Sequence, residues 1–278
     1  WKQIKGSLSA GRVQSMACRL VVDRENEINN FSRNNYFKVN GLFENSSDKI
    51  KINASLDRQL QASENIEKYL ELLNDSEFKV ISISKSKSKR NAPAPFITSS
   101  LQQEANRRFN MSSKQTMAVA QSLYEGGYIT YHRTDSVNLS NTILPDIKKY
   151  IVDNYGEEYV NIKTYKNKTK NAQEAHEAIR PTKIIKLDKL NDNEKKLYEI
   201  IFNRTLASQM SAVNIENITA KLSISKNKDH FISKCQKILF DGYSILYQSK
   251  DDDENCDENE NNPIKIFEKI KKNMIFNY

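Results

Sequence analysis

This 278-residue sequence predicts an α+β fold in which a helical block is inserted into a strand-rich unit that the chain leaves and re-enters. Three observations predict it. Between Tyr36 and Leu56, and again at Val80, Ile81 and Ile83, apolar and polar residues alternate with the period of two that a half-buried strand needs. From Thr98 onward the apolar spacing becomes helical, and capping signals stand at the segment starts. Past Val213 the alternation returns, so the two strand-rich pieces could complete one sheet around the helical insert.

Taken in order, Val13, Met16, Ala17, Leu20, Val21 and Ile28 recur at helical spacing and form one apolar face, with Ser9, Arg12, Ser15 and Arg19 mainly off it. Phe37, Val39, Gly41 and Phe43, then Ile50, Ile52 and Ala54, predict a hairpin. A helix over about 64–73 leads to a strand at Val80, Ile81 and Ile83. Residues 85–90 read as a basic linker, and Pro93 with Pro95 marks a boundary. Ser100 with Gln103, and Ser112 with Gln115, have capping-box spacing, and Gly126-Gly127 stops the second of these helices. A helix from about Asn141 buries Ile143, Ile147 and Ile151. Pro181 closes a short helix, and Asn191 with Glu194 opens one that carries Leu197, Ile200 and Ile201. Strands follow through Ile218, Ala220, Leu222, Ile224 and Phe231, and residues 249–262 read as a solvated acidic loop.

The formal charge of +8 suits a polyanionic partner, although a Lys- and Asn-rich composition can produce the same excess. The acidic run of Asp251, Asp252, Asp253, Glu254, Asp257, Glu258 and Glu260 makes the rest of the chain more basic than the total. Cys18, Cys235 and Cys256 are scattered and contain no CxxC pair, which excludes a zinc site or disulfide framework built on them and fits a reducing compartment. No apolar run approaches the roughly 20 residues of a membrane span. The chain opens on Trp1 without a signal-peptide pattern and reads as a piece of a longer protein.

Three segments could carry chemistry. Around Ser9, Gly11, Arg12 and Gln14, small residues let a backbone approach and the side chains offer donors to phosphate or a base edge. An ordinary cap followed by a surface arginine accounts for the same residues. The second segment, Tyr128 to Ser136, leaves the Gly-Gly stop as a short extended piece with Tyr131 and Arg133 on one side. A phenol with an ordinary pKa near 10 needs nearby positive charge to act as a nucleophile, and a guanidinium can supply it. With 13 tyrosines present, a packing role for Tyr131 stays open. In the third, His176 and Arg180 are i,i+4 neighbours with Gln173 one turn back, a cationic face that could meet phosphate or simply be solvated.

These segments, SAGRVQS at 9–15, LYEGGYITYHRTDS at 123–136 and QEAHEAIRPT at 173–182, occur with PFITSSLQQ at 95–103. In that order and spacing the chain resembles the type IA DNA topoisomerases of the bacterial kind, from about Lys5 to Tyr243. The resemblance implies that Tyr131 is a nucleophile forming a 5′-phosphotyrosine bond and that Arg133 assists at the scissile phosphate. It implies that Ser9, Arg12, Gln14 and His176, with Arg180 beside them, contact single-stranded DNA. His132 departs from the family, whose members commonly carry Met there. By the same resemblance, residues 1–32 belong to the helical domain IV, 33–92 and 216–278 to the strand-rich hinge domain II, and 93–215 to the helical domain III that holds the tyrosine. Mg²⁺ is expected on a toprim domain preceding Trp1. The expected activity is ATP-independent relaxation of negative supercoils by a cytoplasmic, nucleoid-associated monomer, with this chain alone binding DNA but not cutting it.

Rival readings differ in what they need. A tyrosine recombinase wants His-x-x-Arg before its nucleophile, and a relaxase wants clustered histidines, whereas His132, His176 and His230 are scattered. A single-strand-binding module would explain the charge but not the pairing of Tyr131 with Arg133.

Overall fold

A computed structural model describes residues 11–62, 64–165, 177–187, 189–247 and 263–277, with the side chain of Arg12 outside that description. The chain begins with helix α1 (Arg12–Asn29) and enters a strand-rich region: β1 (Tyr36–Phe37), β2 (Asn40–Asn45), β3 (Ile50–Leu56) and β4 (Leu60–Gln61). Helix α2 (Ile66–Asn74) and the long β5 (Phe78–Arg90) complete this first pass. The helical block holds α3 (Thr98–Phe109), α4 (Ser113–Glu125), α5 (Leu144–Tyr155) and α6 (Asp192–Ser208). Then β6 (Val213–Ile224) and β7 (Asn227–Phe240) return to the sheet, followed by α7 (Pro263–Lys269) and β8 (Ile275–Phe276).

The returning strands do complete one sheet, with the order β2-β3-β7-β6-β5-β8 and antiparallel pairing throughout. Its edges meet: Glu44 and Asn277 exchange backbone N–H···O bonds of 2.9 Å, so the sheet nearly closes on itself and leaves little open edge. Strand β2 alternates because Gly41, Phe43 and Asn45 turn inward, and β3 does so through Ile50, Ile52, Ala54 and Leu56. Inside, Phe43 meets Phe78 and Phe231 edge-on at centroid distances of 4.7 and 4.9 Å.

A second core fills the helical block. Leu101 and Ala105 of α3, Ala120 and Leu123 of α4, Ile147 and Ile151 of α5, and Leu197 and Ile201 of α6 are fully buried there. The capping boxes at Ser112/Gln115 and Asn191/Glu194 form as the spacing predicts, each side chain bonding the other residue's backbone N–H.

Three expectations need correction. Residues 85–90 are not a linker but the outer part of β5, paired with β6 from Lys85↔Ile218 to Arg90↔Val213. A Lys-Ser alternation lacks the apolar partner that marks a strand in sequence, so the long neighbouring β6 decides the conformation. Ser100 is not an N-cap: α3 starts at Thr98, and the Ser100 hydroxyl accepts from the N–H of Ile97. No helix ends at Pro181. Residues 177–182 lack helical structure, and Ile179 and Pro181 form β-bridges with Phe96 and Ile129. The apolar face of α1 exists but is bare, with Val13 84% and Leu20 63% exposed. The acidic loop at 249–262 lies outside the described residues.

Candidate active site

The local sequence explains how Tyr131 is presented. Helix α4 stops because Gly127 takes φ +73°, a left-handed conformation that suits glycine, and the chain turns out of the helix there. The next residue but one, Ile129, is buried and bridges Pro181. The N–H of Thr182 donates to the Tyr128 carbonyl at 2.9 Å, and that of Thr130 donates to the Arg180 carbonyl at 2.9 Å. The Thr130 hydroxyl donates to the Ala178 carbonyl at 2.7 Å and accepts from the Arg180 N–H at 3.0 Å. On the other flank, the N–H of Ile179 donates to the Phe96 carbonyl at 2.9 Å. Thus the segments at 95–103 and 123–136 and the described residues 177–182, distant in sequence, are stitched into one layer.

From Tyr131 to Ser136 exposure alternates. Tyr131, Arg133 and Asp135 are exposed, while His132, Thr134 and Ser136 are buried. The predicted shared side for Tyr131 and Arg133 is present, although the backbone bends at His132 and Arg133 rather than running as a straight strand. The bend is held by Thr98, whose N–H donates to the Thr134 carbonyl at 3.0 Å. Its hydroxyl donates toward the His132 carbonyl at 2.8 Å and lies 3.1 Å from that of Thr134, and it accepts from the Thr134 N–H at 3.0 Å.

The ring of Tyr131 rests edge-on against Tyr124 of α4 at 5.2 Å and against His132 at 5.3 Å, and is 44% exposed. Orientation comes from these rings. His132 is fully buried and neither ring nitrogen has a hydrogen-bond partner. Burial first, and then the Arg133 charge, hold its imidazole below the usual histidine range, against a weaker upward pull from Glu125. Among the described residues no group of three or more His, Cys, Asp and Glu could hold a metal ion.

The other predicted contacts divide. Gln14 lies exposed on the first turn of α1. Ser9, His176 and the Arg12 side chain lie outside the described residues. Arg180 is buried, donating to Glu177 at 2.7 Å and to the Pro181 carbonyl at 2.9 Å, so it is not the solvent-facing side chain that an i,i+4 face with His176 would present. The i,i+4 reasoning failed because residues 177–182 are not helical. Tyr124, Thr98 and Thr130 were missed by residue-level reasoning: Tyr124 reads as an ordinary helix residue, Thr98 as a helix start and Thr130 as an ordinary β-former. The only available signal was their place inside the matched motifs.

Comparison with known proteins fits this geometry. A family profile described as DNA topoisomerase matches residues 1–275. The chain is 41% identical over 300 aligned positions to DNA topoisomerase 1 of Rickettsia felis, covering 99% of the chain and 38% of that protein. Against the DNA topoisomerase 1 of Rickettsia prowazekii the identity is 42% over 298 positions, with 98% and 38% covered. A prokaryotic-type DNA topoisomerase 1 of Acanthamoeba polyphaga mimivirus is 41% identical, with 92% of the chain and 34% of the relative covered. The full-length topoisomerase I of Thermotoga maritima superposes with a TM-score of 0.71 at 34% identity, over 88% of this chain and 41% of that one. The chain therefore spans well under half the length of these relatives. It belongs to the type IA DNA topoisomerase family.

Proposed function

We propose that the protein carrying this chain is a DNA topoisomerase that transiently cuts one strand through Tyr131. The observation that carries the reading is the exposed Tyr131–Arg133 pair on a segment whose alternate residues are buried. In the reaction, the Tyr131 oxygen bonds to phosphorus and the bond from phosphorus to the 3′ oxygen breaks. A 5′-phosphotyrosine and a free 3′-hydroxyl result. Another strand passes through the gap, and attack by the 3′-hydroxyl reverses the step and frees the tyrosine. Bond energy stays in the ester, so no ATP is needed and negative supercoils relax.

Arg133 is assigned to the scissile phosphate, where a planar guanidinium can hold two oxygens as charge develops. Ser9, Arg12, Gln14 and His176 are assigned to single-stranded DNA. Arg180 is assigned instead to holding the layer under the nucleophile. The described residues around Tyr131 do not fit Mg²⁺, because Asp135 and Glu125 form no cluster with a third ligand. The ion expected of the family is therefore assigned to another segment of the protein, and no step here runs through it. The domain division at 1–32, 33–92 with 216–278, and 93–215, the monomeric state, and a cytoplasmic, nucleoid-associated location belong to the same proposal. No helix among the described residues is long and apolar enough to cross a membrane.

The test is covalent trapping by the full-length protein on a labelled single-stranded oligonucleotide. Tyr131→Phe removes only the attacking oxygen, so binding should persist and the denaturation-resistant adduct should vanish. An adduct surviving in that variant would move the nucleophile to another residue.

A further inference from the structure

We infer that Thr98 is a positioning residue for strand cleavage, setting the bend that aims Arg133 and Tyr131; this rests on the assignment of Tyr131 as nucleophile. Backbone on both sides of Arg133 is tied to Thr98. The carbonyl of His132 accepts from the Thr98 hydroxyl at 2.8 Å. Thr134 gives its N–H to the same hydroxyl at 3.0 Å and takes the Thr98 N–H on its carbonyl at 3.0 Å.

A side chain is needed here because, among the described residues, no strand pairs with the bend. The bridges of this layer lie at Ile129↔Pro181 and Phe96↔Ile179, so the sheet-like pairing ends before Arg133. Past that point, a segment with only one flank attached could slide or straighten. A straightened segment would keep Tyr131 and Arg133 on one side, as positions two apart in an extended chain, but would change the spacing and angle between them that the bend sets. The hydroxyl substitutes for the missing ladder by serving as donor and acceptor at once, which valine, of the same shape, cannot do. Thr98 is itself anchored as the first residue of α3, with Phe96 just before it buried in the helical core. The rigid helix start thereby transmits its position to the reacting pair. Displacements of about 1 Å in such a pair can cost on the order of 100-fold in rate.

The experiment uses the full-length protein with Thr98→Val, Thr98→Ser and Arg133→Lys, singly and as the Thr98→Val/Arg133→Lys double. Three quantities are read: single-turnover adduct formation, oligonucleotide affinity and melting temperature, with rates taken below the melting point of every variant. Thr98→Val should slow adduct formation by about 10- to 100-fold while oligonucleotide affinity holds. Thr98→Ser should recover most of the rate, because it keeps the hydroxyl. The double variant should lose clearly less than the product of the two single losses, since Thr98 acts in part through Arg133. Parental rate in Thr98→Val, equal loss in Thr98→Ser, or fully additive losses in the double would each overturn the role. Tyr131→Phe is the control for the underlying reading. An adduct there removes the nucleophile assignment, whereas its absence together with a parental Thr98→Val rate removes only the Thr98 inference.

Discussion

The tyrosine segment and helix α1 both carry motifs of the family, yet they stand in opposite physical conditions. The segment from Ile129 to Thr134 is bonded to residues 178–182 on one flank and to Thr98 on the other, with Ile129 and His132 sealed beneath it. Helix α1 instead presents Val13, Met16, Leu20 and Val21 to solvent, and its hydrogen bonds and ion pairs, such as Arg24 to Glu27 at 2.7 Å, stay within the helix. Most helical stability comes from packing an apolar face rather than from propensity. The contrast teaches that the Tyr131–Arg133 pair is preorganised by this chain's own core, whereas the first motif sits on an element whose apolar face the described residues leave uncovered.

The largest expected effects separate the two regions by stability. Ile129→Ala should cost about 2–5 kcal/mol, as for a buried aliphatic truncated to leave a cavity. Leu20→Ala on α1 should stay within about 0.5 kcal/mol. Urea unfolding of both variants checks this, and equal losses would break the comparison by showing that α1 is covered in solution. Next in size, Arg133→Lys should lower cleavage by about 100- to 1,000-fold, the scale of losing one fixed donor to developing charge. Near-parental relaxation by that variant would leave the exposed pair without its second member. Smaller still, residues 1–278 alone should bind single-stranded DNA weakly, with affinity falling steeply with salt, because releasing counterions gains less entropy as bulk salt rises. A denaturation-resistant adduct from this chain with Mg²⁺ would show that the preorganised pair is sufficient by itself.

Legibility in the sequence followed the same division. Where apolar period and caps agreed, as in α4 with its Ser112/Gln115 box and α6 with its Asn191/Glu194 box, the elements read true. Tyr131 and Arg133 were legible as a same-side pair because the Gly-Gly stop forces the chain out of a helix there. What could not be read depended on partners distant in sequence. Residues 85–90 became strand because β6 lies beside them, and residues 177–182 left the helical pattern because Phe96 and Ile129 offered bridges. Thr98 reads as one more helix-start residue until the chain beside His132 is placed. Arg180 shows the reverse failure, since a charged side chain was taken as solvent-facing when Glu177 and the Pro181 carbonyl had already engaged it.

The smallest effect concerns His132, and it tests how complete the burial under Tyr131 is. An imidazole with no hydrogen-bond partner on either nitrogen is more favourable neutral than charged, and the adjacent Arg133 adds to that preference. Its folded-state pKa therefore lies below the ordinary 6.5, so the unfolded chain binds a proton at a pH where the folded one does not. By linkage, His132 leaves stability untouched above about 6.5 and subtracts from it as the pH falls from there toward the folded value. Met is unbranched, apolar and near enough in size to fill the same site, while carrying no proton. His132→Met should then unfold less readily than the parent in mild acid, with the difference between the two fading as the pH rises through neutrality. The parent's cleavage should show the matching acid loss, because protonation would place a buried cation in one of the two rings that orient Tyr131. Urea unfolding of both proteins across mildly acidic and neutral pH gives the comparison. A difference that does not change with pH would mean that His132 is reached by water or an acidic partner, and that the layer beneath the nucleophile is less sealed than its burial indicates.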